Sequence, residues 1–266
     1  MSRRPAVLGA LVLTAALALT GCASNAADPS TSDGADFGLV DGGTLTVATE
    51  GTYRPFSFHD ASGELVGYDV EIAEAVAEKL GLEISFQETQ WDGIFAGLDA
   101  GRFDVIANQV SINPDREEKY LFSEPYTVSP GVIVVEEGDD SIASFSDLQG
   151  KTTAQSLTSN WYELAEQNGA NVEAVEGWAQ AVELLRQDRV DATVNDSLTF
   201  LDYEKNEGPT GLKVAVETDE PSLSAFATTK DKEELVTAID DALAELREDG
   251  TLAEIGEKYF GADVSE

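Results

Sequence analysis

Two side chains of opposite charge frame the chemistry this sequence offers. Arg116 ends the run Asn108-Gln109-Val110-Ser111-Ile112-Asn113-Pro114-Asp115-Arg116, in which Asn113 is suited to cap a helix and Pro114 to open it. The guanidinium therefore leaves the first turn of a helix, where the helix dipole disfavours a cation and a bound anion would offset that penalty. A planar guanidinium clamps a carboxylate through two parallel hydrogen bonds; the other reading is a surface pair with Asp115, Glu117 or another acid. Asp196 closes a later apolar run and either caps the helix that begins at Ser197 or offers its carboxylate to a ligand. One cation and one anion on opposite sides of a cleft would grip a zwitterion, and the ligand would then favour closure. Tyr53, Phe56 and Trp91 follow apolar runs and are placed to wall a slot. Phe56 is equally placed for the core, and Phe58 reads as packing. His59, the single histidine, sits in a polar turn and reads as solvated. With one histidine and one cysteine, Cys22, neither a common zinc site nor a disulfide framework can be built.

Alternating elements must position these residues. Strands over 45–49, 83–86 and 103–107 alternate with helices over 69–80 and 92–100, a βαβαβ unit. The first helix carries Ile72, Ala73, Val76, Ala77 and Leu80 on one face, Gly81 at its end, and Asp69 where a cap is expected. Strands over 151–154, 172–175 and 190–194 and helices over 161–168 and 179–187 repeat the order. Leu98, Arg102, Asp104 and Asn108 recur 87 residues on as Leu185, Arg189, Asp191 and Asn195, at the helix-to-third-strand corner of each unit. Asp231 with Glu234 and Thr251 with Glu254 have capping-box spacing, and Leu235, Ile239, Leu243 and Leu246 make a helical stripe. The chain is expected to cross near 133–136 and to return near 223–228, a two-strand hinge. The fold class is thus α/β, with two doubly wound βαβ lobes, lobe 1 over 44–134 and 227–266 and lobe 2 over 135–226. Ligands of such sheets bind beyond the carboxyl ends of the strands, here 50–58, 90–93 and 108–116.

Arg3 and Arg4 precede an apolar run over 6–19 that is too short to span a bilayer, so residues 1–21 read as an export signal. Leu19-Thr20-Gly21-Cys22 resembles a lipobox, which implies lipidation of Cys22 and anchoring outside the cytoplasmic membrane; the alternative is a plain secretory signal with a chance cysteine. Residues 22–43 lack periodic apolar positions and read as a disordered tether. The remainder, 42% apolar across the whole sequence, is enough to fill one large or two small cores. A formal charge of −35 argues against nucleic acid and anionic lipid as partners. Because the acids are scattered along helices, the charge reads as a solvated surface rather than a device for steering cations.

Gly51-Thr52-Tyr53-Arg54-Pro55-Phe56-Ser57-Phe58, Gly67-Tyr68-Asp69-Val70-Glu71-Ile72-Ala73, the 108–116 segment, residues 120–126 and Asp249-Gly250-Thr251-Leu252 resemble the family-three extracellular solute-binding proteins of polar amino-acid importers. The resemblance covers residues 44–264. It implies a periplasmic-binding-protein fold, an amino-acid ligand, an ABC permease as partner, a monomer and no cofactor. It further implies that Arg116 holds the ligand α-carboxylate, Asp196 the α-ammonium, and Tyr53 and Trp91 the side chain. Contacts are implied from the Asn108–Ser111 loop, Gln109 included, and from Thr158, Ser159 and Asn160. This sequence departs from many relatives in carrying Asn108 and Gln109 for Ser or Gly, and Glu50 for Asp. Asn108-Gln109-Val110, Gln155-Ser156-Leu157-Thr158-Ser159-Asn160 and the ending over 259–264 look most like the cystine-binding members. Cystine has two zwitterionic heads, and Asn108, Gln109, Ser159 and Asn160 would supply the extra polar partners. Two other readings share this fold: a prephenate or arogenate dehydratase using a carboxylic acid such as Glu50, and a module that presents amino acids to a sensor.

Overall fold

Apolar runs of β-branched residues build the central strands of each lobe, and amphipathic helices cover them. The computed structural model describes residues 37–266; the expected signal over 1–21, Cys22 and most of the tether lie outside the described residues. The last part of that tether belongs to the fold. Phe37 and Leu39 pack on the first core, and the Val40 N–H donates to Asp104 Oδ1 at 2.8 Å, so the domain begins before Thr44.

The first lobe runs through β1 (Thr44–Thr49), β2 (Thr52–Tyr53), β3 (Ser57–His59), β4 (Leu65–Val66), α1 (Tyr68–Leu80), β5 (Glu83–Glu88), α2 (Trp91–Asp99), β6 (Val105–Ser111), α3 (Pro114–Glu117), β7 (Tyr120–Phe122) and β8 (Thr127–Ser129). The second holds β9 (Gly131–Glu136), β10 (Thr152–Gln155), α4 (Asn160–Gln167), β11 (Asn171–Ala174), α5 (Trp178–Arg186), β12 (Thr193–Asp196), α6 (Ser197–Glu207) and β13 (Leu212–Glu217). The chain then returns as β14 (Ser222–Thr229), α7 (Glu233–Glu248) and α8 (Thr251–Phe260). The first sheet has the order β5-β1-β6-β14-β7, with β8 also on β14. In the second lobe β9 lies between β12 and β13, and a bridge from Thr153 to Ala192 ties the β10-β11 pair to them.

The apolar stripe of α1 meets β1 and α7, burying Leu45, Val47, Ile72, Val76, Leu235 and Ile239 in one core. Each such side chain contributes about 1.5–3 kcal/mol on burial. Strand β9 is covered on both faces, Val132 and Val134 on one and Ile133 and Val135 on the other, as expected for a central strand. The 87-residue repeat has a structural cause. Asp104 Oδ2 accepts the Thr46 N–H of β1, and Asp191 Oδ2 accepts the Thr152 N–H of β10, the same corner in each lobe.

Several local expectations are corrected. Asp69 does not cap α1; Gly67, at φ 143°, precedes the helix, and a Cβ there would lie 2.1 Å from the Phe56 carbonyl. Neither capping box forms, since Asp231 accepts from Thr229 Oγ1 and Thr251 Oγ1 donates to Asp249. Residues 108–111 are not a loop but the end of β6, paired with β14 at Val110 and Ser111. The crossings lie ahead of their expected places, because β9 pairs within the second sheet from Gly131 onward and β14 pairs within the first from Ser222. The two crossing segments touch: Gly131 N–H donates to Thr218 Oγ1 at 3.0 Å, and Thr218 N–H donates to the Gly131 carbonyl at 2.8 Å.

Candidate functional site

The carboxyl ends of β1, β6, β10 and β12 converge on a cavity of about 50 Å³ between the lobes. Of the residues expected in a site, Glu50, Tyr53, Trp91, Asn108 and Gln109 line it from the first lobe, and Ser159 and Asn160 from the second. Asn108 and Asn195, equivalent in the 87-residue repeat, both line it. Asn108 is tied to the first lobe: its Oδ1 accepts from the Glu50 N–H at 2.9 Å and from Thr49 Oγ1 at 3.0 Å, and its Nδ2 donates to Glu50 Oε2 at 2.7 Å, which leaves one amide hydrogen for another acceptor. Burial pushes the Glu50 carboxyl up to about 7, against the pull of the Asn108 hydrogen bond.

Gln109 is held in the left-handed region, at φ 51°, where a residue other than glycine is strained. Asp69 compensates. Its Oδ2 accepts the Gln109 N–H at 2.8 Å, and its Oδ1 accepts Gln109 Nε2 at 2.6 Å. Asp69 is wholly buried, and that burial raises its carboxyl to about 7. The Gln109 amide nitrogen also reaches Thr127 Oγ1, so its Oε1 is the free end of the amide, buried without a partner.

Arg116 emerges from α3 as the sequence requires, with Asn113 Oδ1 accepting its N–H at 2.9 Å and Pro114 opening the turn. The side chain is 9% exposed. Its guanidinium donates to the Ser111 carbonyl at 2.9 Å and to the Thr158 carbonyl of the second lobe at 3.3 Å, and it lies 5.4 Å from the Trp91 ring. Among the described residues no carboxylate forms an ion pair with it, so the surface pairing with Asp115 or Glu117 is not what the structure contains. Burial beside neutral partners pulls its pKa down to about 10. Arg116, Ser111 and Thr158 thus form a cluster beside Trp91 and are not among the residues that line the cavity.

Asp196 caps α6: its Oδ1 accepts the Leu198 N–H at 2.9 Å, while Oδ2 accepts from Ser129 Oγ at 2.5 Å across the hinge. It stands next to the wall residue Asn195, and burial raises its carboxyl to about 6. A carboxylate has about four lone-pair positions, so two remain for another donor. Phe56 does not belong to the site. It is fully buried in the first core against Tyr53, Tyr68 and Phe260, because the β2-β3 hairpin turns it under the sheet.

Direct bonds span the lobes. Tyr53 Oη donates to Asn195 Oδ1 at 2.9 Å and accepts from Thr199 Oγ1 at 3.1 Å, and Thr158 Oγ1 donates to Asp92 at 3.4 Å. Residues not foreseen as site members also line the cavity: Gln155, Ser156, Trp161, Gly177, Trp178 and Asn195. Asn195 was signalled by the repeat, and Gln155 and Ser156 by their motif. Trp161 and Trp178 open amphipathic helices, where a tryptophan reads as packing. Gly131 has no side chain because the Trp161 ring occupies that space; a Cβ would approach it to 2.3 Å.

Among the described residues, four cavity residues carry a buried side-chain polar atom without a partner: Trp91 Nε1, Gln109 Oε1, Gln155 Nε2 and Trp178 Nε1. Such groups cost about 1–3 kcal/mol each when left unpaired, so the cavity suits a polar solute. No group of three or more His, Cys, Asp or Glu among the described residues is placed to hold a metal ion.

The sequence profile described as "Bacterial extracellular solute-binding proteins, family 3" matches residues 45–262. The L-cystine-binding protein TcyA of Bacillus subtilis (strain 168) is 52% identical over 224 residues, covering 84% of this chain and 83% of its own. The L-cystine solute receptor of Neisseria gonorrhoeae, in its unliganded open conformation, is 47% identical and superposes over 85% of this chain and 97% of its own with a TM-score of 0.59. An ancestral arginine-binding protein bound to glutamine is 38% identical, yet superposes over 82% of this chain and 98% of its own with a TM-score of 0.78.

Proposed function

The chain belongs to the bacterial extracellular solute-binding proteins of family 3, and on that premise we propose that it delivers L-cystine to an ABC importer by enclosing it between the two lobes. The observation that carries this reading is the interlobe cavity whose lining residues carry buried, unpartnered donors and an unpartnered acceptor, which match a solute bearing both ammonium and carboxylate groups. The identity to TcyA supports cystine as that solute. Closure is supported by shape: the less similar sequence, solved with a ligand, superposes better than the more similar sequence solved open.

In this proposal Arg116 takes the α-carboxylate and Asp196 the α-ammonium. Tyr53 and Trp91 flank the ligand body, Glu50, Asn108, Gln109, Ser159 and Asn160 complete the polar wall, and Ser111 and Thr158 hold the Arg116 guanidinium through their carbonyls. The lipid anchor at Cys22, the monomeric state and the permease partner belong to the same proposal. A thermal-shift screen of the twenty amino acids plus L-cystine tests it. L-Cystine should give the largest rise in melting temperature, since a ligand stabilises the form it binds. A larger shift with another amino acid, or none with any, would overturn the assignment. The dehydratase reading draws on Glu50, whose carboxyl at about 7 would suit proton transfer; formation of phenylpyruvate on incubation with prephenate would establish it.

A further inference from the structure

Helix α5 opens at the cavity without the usual protection. Its cap residue, Gly177, offers no side chain, its first turn carries no acid, and Gly177 and Trp178 both line the cavity. The Gly177 N–H is taken by Ser156 Oγ at 3.0 Å, while the N–H groups of a helix's first turn have no acceptor within the helix. Two residues lining the same cavity carry independent donors. Gln155 is 4% exposed, and its Oε1 accepts from Thr153 Oγ1 at 2.9 Å, which fixes the amide and leaves Nε2 buried without a partner. Trp178 Nε1 is likewise buried and unpartnered.

We infer that Gln155 Nε2, Trp178 Nε1 and the first turn of α5 form a second carboxylate subsite on the second lobe, separate from Arg116, for the far head of a doubly zwitterionic solute. The inference rests on the amino-acid-binding reading and extends it. Unpartnered N–H donors on residues that line one cavity, together with the positive end of a helix that opens there, recognise an anion or a strong acceptor. The far ammonium has acceptors in the same cavity, the Glu50 carboxylate and Gln109 Oε1. Glu176, immediately before Gly177, adds negative charge beside Glu50, which suits that ammonium and disfavours a far end that carries a carboxylate alone. The subsite therefore selects a complete amino-acid head over an acidic or apolar end.

Titration calorimetry on the whole protein with L-cystine and with the cysteine–cysteamine mixed disulfide, which lacks only the far carboxylate, tests this. The wild type should hold L-cystine roughly tenfold or more tighter, as sites built to pair a polar group reject analogues without it. Gln155→Leu and Trp178→Phe should each weaken L-cystine by about tenfold and leave the mixed disulfide within about twofold. Trp178→Phe retains a ring against Phe200 and Tyr203, so it keeps the test valid if Gln155→Leu impairs folding. Equal affinity of the wild type for both probes, or equal weakening of both by Trp178→Phe, would overturn the subsite alone. Failure of the wild type to bind L-cystine would overturn the functional reading and the subsite with it.

Discussion

Replacing Arg116 by methionine separates binding from stability. The guanidinium is nine-tenths buried with only two carbonyl partners, and burial lowers its pKa to about 10. At about 1.4 kcal/mol per pKa interval, that depression corresponds to a penalty of ~3 kcal/mol on the folded, ligand-free protein. Methionine fills much of the same volume without the charge. Against the recovered ~3 kcal/mol stands the loss of a donor to the Ser111 and Thr158 carbonyls, on the order of 1 kcal/mol each. The ligand-free variant should therefore be as stable as the wild type or up to about 1 kcal/mol more so, a rise of about 2–4 °C for a domain of this size. Its ligand-induced shift should vanish, because an unpaired ligand carboxylate in a buried site costs roughly 3 kcal/mol or more. Scanning calorimetry with and without L-cystine reads both quantities. A melting temperature well below wild type with ligand binding retained would refute the argument, since Arg116 would then be a structural tie and not a waiting counter-charge.

Tyr53→Phe removes the hydroxyl that joins Asn195 and Thr199 across the cleft through two hydrogen bonds; at about 1 kcal/mol for each, the closed-to-open ratio of the ligand-free protein should fall about thirtyfold, read as a larger radius of gyration by small-angle scattering. Asp69 should impose a pH dependence. Burial raises its carboxyl to about 7, so from about pH 4, where an unfolded aspartate loses its proton, up to about 7 the folded state binds more protons than the unfolded one. The stabilising contribution is full below the unfolded value and is lost as pH rises through 7. Asp69→Asn should flatten that decline in urea unfolding compared at about pH 5 and about pH 8, while an unchanged slope would remove Asp69 as its source.

Helix α1 was legible because its stripe, its buried alanines and Gly81 all point one way, and Gly81 does close it at φ 68°. The cleft was legible from strand ends, which is why Glu50, Asn108 and Gln109 were found. What local pattern could not reveal was how polar residues are paid for at a distance. Asn108, Gln109 and Ser111 read as a loop because they are polar, yet β14 pairs the strand through Ser111 and Asp69 satisfies Gln109 from another element. Asp69 looked like a cap for the same reason: a carboxylate beside a helix start has a local use, and its partner, 40 residues on, is visible only in three dimensions. Trp161 and Trp178 escaped because helix periodicity explains them without a ligand.

The ladder between Gly131 and Thr218 bears on mechanics. Two segments fastened side by side bend as one ribbon and resist twisting separately, which leaves the halves essentially a single rotational coordinate. Force applied by a solute at any point of the cleft then acts along the same coordinate, so weak grips at widely spaced atoms accumulate into one all-or-none movement.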